Sequence, residues 1–175
     1  MVVKIIFIAL FVIAAVGVFA ACKPDTIRIE RAITINAPPE KVFGLIDDFH
    51  NWGYWAPQDR EDATLQRTYS GPASGPGSKS AWAGSGGAGS GSMEIVEASR
   101  NRTVAIKVDF LRPFEAHNTN EFTLQQEGAS TVVTWKMQGT NPYIAKVMSV
   151  FVSMDRVVGA HFETGLRNLK AAAEK

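Results

Sequence analysis

Glu115, His117 and Glu121 share one strand parity within a short stretch, and carboxylates flanking an imidazole can carry protons to and from a bound substrate. The opposite parity holds Phe122 and Leu124, which a core would claim, so this register turns His117 and its acidic neighbours to solvent unless a bulge shifts it. Asp47 and Asp48 form a second carboxylate pair. Neighbours on a helix diverge by about 100°, so these two read as a solvated helix end and not as an acid/base dyad. Gly84-Ser-Gly86-Gly-Ala-Gly89 has the spacing of a dinucleotide-binding loop, which requires a helix N-terminus after it. Met93-Glu-Ile-Val-Glu follows instead and alternates like a strand, which removes that reading. His50, His117 and His161 are too scattered for a metal set, and the one cysteine, Cys22, allows no internal disulfide. No catalytic residue, cofactor or metal is assigned from these patterns.

More informative are polar residues that fall on apolar parity. Arg31 is in register with Ile27, Ile29, Ile33 and Ile35, Arg67 lies between Leu65 and Tyr69, and Asn118 and Asn120 share a face with Phe122 and Leu124. Buried groups of this kind need partners. Either the protein supplies them, as Glu163 or Asp47 can for Arg31, or one or two of them hold the polar head of an apolar ligand. The apolar walls of such a site are expected from Trp52, Trp55, Trp82, Phe110, Phe114, Trp135, Met137 and Met148, with Arg67 and Asn118 as polar contacts. Each wall residue also fits plain core packing. Met148 and Met154 suit a wall that adapts its shape.

The elements that must position these residues follow from periodicity. Ile27 to Ile35 alternates as a half-buried strand, and Pro38-Pro39 then opens a short helix with Val42, Phe43, Ile46 and Phe49 on one face. Six further strands are predicted: Leu65 to Ser70, Ser78 to Ala83, Met93 to Ala98, Thr103 to Leu111, Asn118 to Gln125 and Thr131 to Gln138. After Asn141-Pro142, Ile144, Val147, Met148, Phe151, Met154, Val158, Phe162, Leu166 and Leu169 form one long helical stripe. This is an α+β arrangement in which a curved antiparallel sheet of about seven strands wraps a long C-terminal helix.

Two parts of the chain are distinguished, 1–24 and 25–175. Ile5 to Ala21 runs without a charge over 17 residues, about 26 Å of helix, and reads as a membrane-targeting segment. Three versions stay open. It is a single anchoring helix in a bacterial inner membrane, or a lipoprotein signal, since Phe19-Ala20-Ala21-Cys22 resembles a lipobox in which Cys22 is acylated, or a cleaved signal peptide. The flanking charges do not fix an orientation. Net charge is +1 with 20% charged residues interspersed, so no basic stripe supports nucleic-acid binding, and no protein partner is inferable.

Several blocks in order resemble the START-like (SRPBCC) superfamily, and within it the polyketide cyclase/dehydrase and lipid-transport group. They are Ala37-Pro-Pro-Glu-Lys-Val-Phe, Trp52 to Pro57, Arg67-Thr-Tyr-Ser-Gly-Pro-Ala-Ser-Gly, Ala81-Trp82, Ser92-Met-Glu-Ile, Asp109-Phe-Leu-Arg-Pro-Phe-Glu-Ala-His-Asn, Trp135 and the closing helix. The resemblance covers Asp25 to Lys175 and implies the helix-grip fold with an internal cavity. The Gly-Ser-rich segment Ala83 to Ser92 departs from it where relatives carry charges. Since the superfamily mixes carriers, aromatase/cyclases and regulatory binders, function must come from the site. The expectation is membrane-tethered binding or transport of a small hydrophobic ligand: a lipid, quinone or polyketide-like compound. The alternatives are an aromatase/cyclase-type enzyme, which needs an inward His117 or Asp109, and a non-catalytic interaction module.

Overall fold

Period-two alternation becomes burial along every long strand. In the computed structural model, which describes residues 2–85, 89–113 and 115–175, helix α1 (Val2–Ala21) leads into strand β1 (Thr26–Ile35) and helix α2 (Pro39–Ile46). A 3-10 turn (Phe49–Tyr54) and helix α3 (Pro57–Glu61) follow. Six strands come next: β2 (Gln66–Ser70), β3 (Lys79–Ala83), β4 (Ser90–Ser99), β5 (Thr103–Arg112), β6 (Ala116–Glu127) and β7 (Ser130–Thr140). The chain ends in α4 (Tyr143–Phe151) and α5 (Met154–Ala173). The strands form one antiparallel sheet in the order β1-β7-β6-β5-β4-β3-β2. β4 follows the glycine-rich segment directly, so no helix is available there to receive a pyrophosphate; residues 86–88 lie outside the described residues.

α2 and α5 cover the inner face of the sheet. Ile106, Phe122, Val133 and Trp135 point to them from the strands, and Val42, Ile46, Phe162, Leu166 and Leu169 point back. A register shift between Ile95 and Glu97 leaves Val96 as an extra, exposed residue, the kind of bulge that bends a strand and helps a sheet curl. α2 starts on Pro39, whose missing N–H has no helical partner at that position. α5 is capped by Ser153, which accepts from the Arg156 N–H, and carries Asp155 in its first turn and Lys170 in its last, matching the helix dipole.

The C-terminal stripe is not one helix. Val152 is extended (φ −130°, ψ 126°), and the chain breaks between α4 and α5. The apolar spacing continues through the break, but Ser153 turns its hydroxyl to capping α5. α4 instead packs beside the end of α1. The Tyr143 hydroxyl donates to the Gly17 carbonyl (3.1 Å), Lys23 to the Ser149 carbonyl (2.9 Å), and the Asn141 side chain to the Pro24 carbonyl (3.0 Å). Buried Lys146 pairs with Asp25. Among the described residues, no helix is long and apolar enough to cross a membrane.

α5 meets the sheet so closely that two of its positions have no room for a side chain. A Cβ at Gly165 would lie 2.8 Å from Trp135 Cζ3, and one at Gly159 would run into the Arg31 guanidinium. Arg31 donates to Glu163 (2.9 Å) and to both carboxylate oxygens of Asp155 (3.1 and 3.0 Å), so it ties β1 to α5. Its partner among the two foreseen is Glu163 and not Asp47. Gly159→Ala is expected to displace Arg31 and destabilise the fold by about 1–3 kcal/mol, measured by denaturant unfolding. An unchanged midpoint would show that the Arg31 clamp contributes nothing.

Candidate functional site

Because α4 diverges from α5, the sheet is left uncovered at one end. The space there is a cavity of about 180 Å³ between the ends of β1, β6 and β7 and the α4–α5 corner. Met137 and Asn118 line it from the sheet, and Ile144, Ala145, Met148 and Met154 line it from the helices. Among the described residues lining it, Glu115 is the one ionisable group, and it is exposed at the mouth. Gly139 has a part in the shape. Asn118 faces it across the β6–β7 ladder, and a Cβ at 139 would collide with the Asn118 side chain. The cavity is therefore apolar with a polar edge, the usual make-up of a small-ligand site.

Of the ten residues expected to contact ligand, Asn118, Met137 and Met148 come together here. The other six described residues are elsewhere. Trp52 and Trp55 are fully packed in the core, and each indole N–H is satisfied by a carbonyl of the preceding helix region, Ile46 (3.0 Å) and Leu45 (2.8 Å). Trp135 stacks on Phe162, with ring centroids 4.0 Å apart and planes 8° apart. Trp82 lies edge-on to half-buried Phe110 (5.5 Å) and covers Gly91, far along the sheet from the cavity. Arg67 is neutralised inside the protein. Its guanidinium makes a two-pronged pair with Asp59 and donates to Ser80 Oγ at 3.0 Å, so the buried charge is balanced within the protein. Phe114 lies outside the described residues. Cys22 is free and exposed.

Sequence reasoning missed Ile27, Ile144 and Ala145 as cavity residues. Ile144 and Met148 are spaced four apart and did carry a signal, but it was absorbed into the stripe assigned to a single helix.

The titratable groups lie away from the cavity interior. His117 is on the outer face, with its ring 2.6 Å from Asp109 and 3.4 Å from Glu115. The hydrogen bond to Asp109 raises the imidazole above its ordinary range, and that bond, with Lys107 beside it, holds the Asp109 carboxyl low. Asp48 caps the 3-10 turn by accepting from the His50 N–H. Asp47 is half-buried instead of solvated, and burial holds its carboxyl up. Among the described residues, no cluster of His, Cys, Asp or Glu can hold a metal.

Folded His117 binds its proton more tightly than the unfolded chain does. The stabilisation is therefore complete below about pH 6.5 and is lost as pH rises through the folded value. Thermal unfolding of His117→Gln is expected to start lower than that of the parent near pH 5.5 and to coincide with it at pH 9, the effect staying small because the pair is exposed. A deficit that grows toward pH 9 would contradict this.

The chain matches the polyketide cyclase / dehydrase and lipid transport family over residues 26–174. No curated protein matches it in sequence. Among solved structures it is similar to a protein of Chromobacterium violaceum, with 16% identity, 87% of this chain and 99% of that one covered, and a TM-score of 0.61. It is similar to the Aha1 dimer protein of Colwellia psychrerythraea, with 20% identity, 85% and 96% covered, and a TM-score of 0.56. It also matches the di-domain aromatase/cyclase BexL of the BE-7585A biosynthetic pathway, with 14% identity, 90% of this chain and 53% of that one covered, and a TM-score of 0.64. At these identities the structural likenesses speak for the fold, which is the helix-grip architecture, and the match along residues 26–174 speaks for descent. This chain belongs to the polyketide cyclase / dehydrase and lipid transport family of START-like proteins.

Proposed function

We propose that this protein binds a small hydrophobic ligand in the cavity under α4 and hands it to or from a membrane to which α1 tethers it. The observation that carries the reading is the wall of Met137, Met148, Met154 and Ile144 around an unfilled space. Family membership supports hydrophobic-ligand binding or cyclase chemistry as the class of function. Binding is preferred to catalysis because Glu115, the one ionisable group among the described lining residues, faces solvent at the mouth, and the His117–Asp109 pair is on the other face of the sheet. Burying about 200 Å² of apolar ligand surface is worth about 5 kcal/mol at 25 cal/mol per Å² before ordering costs, so affinity is modest. At about 180 Å³ the cavity is below the usual range for drug-sized ligands. It suits one ring or the end of a longer chain, with α4 moving aside for more. The methionines tolerate that change of shape.

Native mass spectrometry of the detergent-solubilised protein, with organic extraction, is expected to reveal a reproducible small-molecule adduct. Ala145→Trp, which fills the cavity from α4, should remove the adduct while the fold stays intact. A clean apo mass across expression hosts, with no uptake from lipid or quinone panels, would sink the carrier reading.

The tether rests on the uncharged run 5–21 in the sequence, and not on a described helix long and apolar enough to cross a membrane. Exposed Ile144, Met148, Phe151 and Val152 on and just after α4 add apolar surface beside the C-terminal end of α1. Under this reading both the parent and Cys22→Ser stay in the membrane fraction after alkaline carbonate washing. Release of Cys22→Ser alone would assign the tether to acylation, and release of both would exclude it.

A further inference from the structure

Helix α4 is inside out for a helix in water. It holds one charged residue, Lys146, and that is the residue it buries, 6% exposed and paired with Asp25. The side chains it turns outward are Tyr143, Ile144, Met148 and Phe151, the last 73% exposed, and exposed Val152 follows its end. Ile144, Met148 and Phe151 are spaced four and three apart, so they form one stripe along a single face. A surface helix in water does the reverse, with its charge outward and its apolar stripe against the core.

The position of this stripe is fixed relative to α1. Besides the Tyr143, Lys23 and Asn141 side-chain bonds described above, the Asn141 N–H donates to the Asp25 carbonyl at 2.7 Å. The approach at Gly17 is close, since a Cβ there would lie 3.3 Å from the Tyr143 hydroxyl. Gly17 is four residues inside the end of the uncharged run 5–21, about 6 Å along a helix axis. Helices that lie in a bilayer interface bury their apolar face to about 5–10 Å, which matches that level. The flanking groups also suit an interface: Tyr143 is an aromatic residue with a polar tip, and the Lys23 ammonium is 5.5 Å from the centre of the Phe19 ring.

We propose that α4 lies in the interface of a phospholipid bilayer, with its Ile144, Met148 and Phe151 stripe against lipid. The buried Lys146–Asp25 pair and the exposed stripe then both have a cause: the surroundings of this helix are apolar on its outer side. A tether at α1 alone leaves the domain free to turn about a short neck, whereas a second contact through α4 gives it one orientation on the membrane. Two of the three stripe residues, Ile144 and Met148, also line the cavity, so contact with lipid extends to the cavity's edge. This rests on the tether reading above and adds a second membrane contact to it.

The test uses the full chain with Cys22→Ser and either Phe151→Cys or Gln125→Cys, labelled with the fluorophore NBD and reconstituted into phosphatidylcholine/phosphatidylglycerol vesicles. Phe151 is largely exposed, so its replacement leaves no hole in the core, and Gln125 is exposed on β6 at the end of the sheet remote from the cavity. Emission from position 151 is expected to shift to the blue on reconstitution and to be mostly lost when lipid carrying a doxyl group near its headgroup is included. Position 125 is expected to keep the emission of a dye in water. Water-like emission from both positions, in vesicles that carry the protein, would overturn the α4 contact and leave the tether intact. A blue shift at 151 that doxyl lipid does not quench would give the stripe to a second copy of the chain and overturn the proposal as well. If neither labelled protein floats with the vesicles, the tether and the α4 contact fall together. Should Phe151→Cys not fold, Val152→Cys, exposed and adjacent, takes its place.

Discussion

Everything in this molecule depends on how closely α5 is seated on the sheet. The contact is a stack of Trp135 on Phe162, admitted by the missing side chain at Gly165 and locked at its side by Arg31 reaching under Gly159 to Asp155 and Glu163. The stacked rings exclude water, and the guanidinium fixes the helix in rotation and register along β1. A helix held this near to one part of a curved sheet cannot also touch its far end. The cavity is the geometric remainder of that contact.

The corner at Val152 and Ser153 decides what closes the remainder. α5 is attached to the sheet, whereas α4 is attached to the end of α1 and the segment after it through Tyr143, Lys146, Ser149 and Asn141. Two bodies with separate attachments thus face one another across the cavity, joined by a short extended link. Polar satisfaction is uneven too. Around Arg67, Asp59 and Ser80 close the accounts of a buried charge, and Trp52 and Trp55 both find carbonyls. In the core Asn120 Oδ1 and Trp135 Nε1 find no partner in the protein, each at a penalty of about 1–3 kcal/mol.

Most of the fold was legible because burial on one face imposes period two on strands and a three-to-four spacing on helices. All seven strands fall where alternation puts them, within a few residues at their ends. Arg31 was also legible, since an arginine on an isoleucine face implies an acid opposite it, and Glu163 is there. The break before Met154 was not, because Phe151, Met154 and Val158 keep helical spacing through it and only the capping role of Ser153 marks the stop. Nor could alternation separate the wall of a cavity from the middle of a core. Trp82 and Trp135 have inward parity, Trp52 and Trp55 sit in and just after the 3-10 turn, and all four are buried by packing. What did survive was the anomaly at Asn118, a polar group on an apolar face that lines the space the protein itself does not fill.

The pairing of β1 with β7 has a kinetic side. Ile35 lies opposite Thr131 and Thr26 opposite Thr140, so the first strand must wait roughly a hundred residues of synthesis for its only neighbour in the sheet. The hairpins from β4 to β7 can assemble locally meanwhile, but α5, which needs Arg31 from β1, comes last of all. Until then an isoleucine-rich strand has an unpaired edge. An apolar N-terminal helix held away from the rest of the nascent chain would keep that strand from other edges, so that attachment at the N-terminus would act as a chaperone built into the chain.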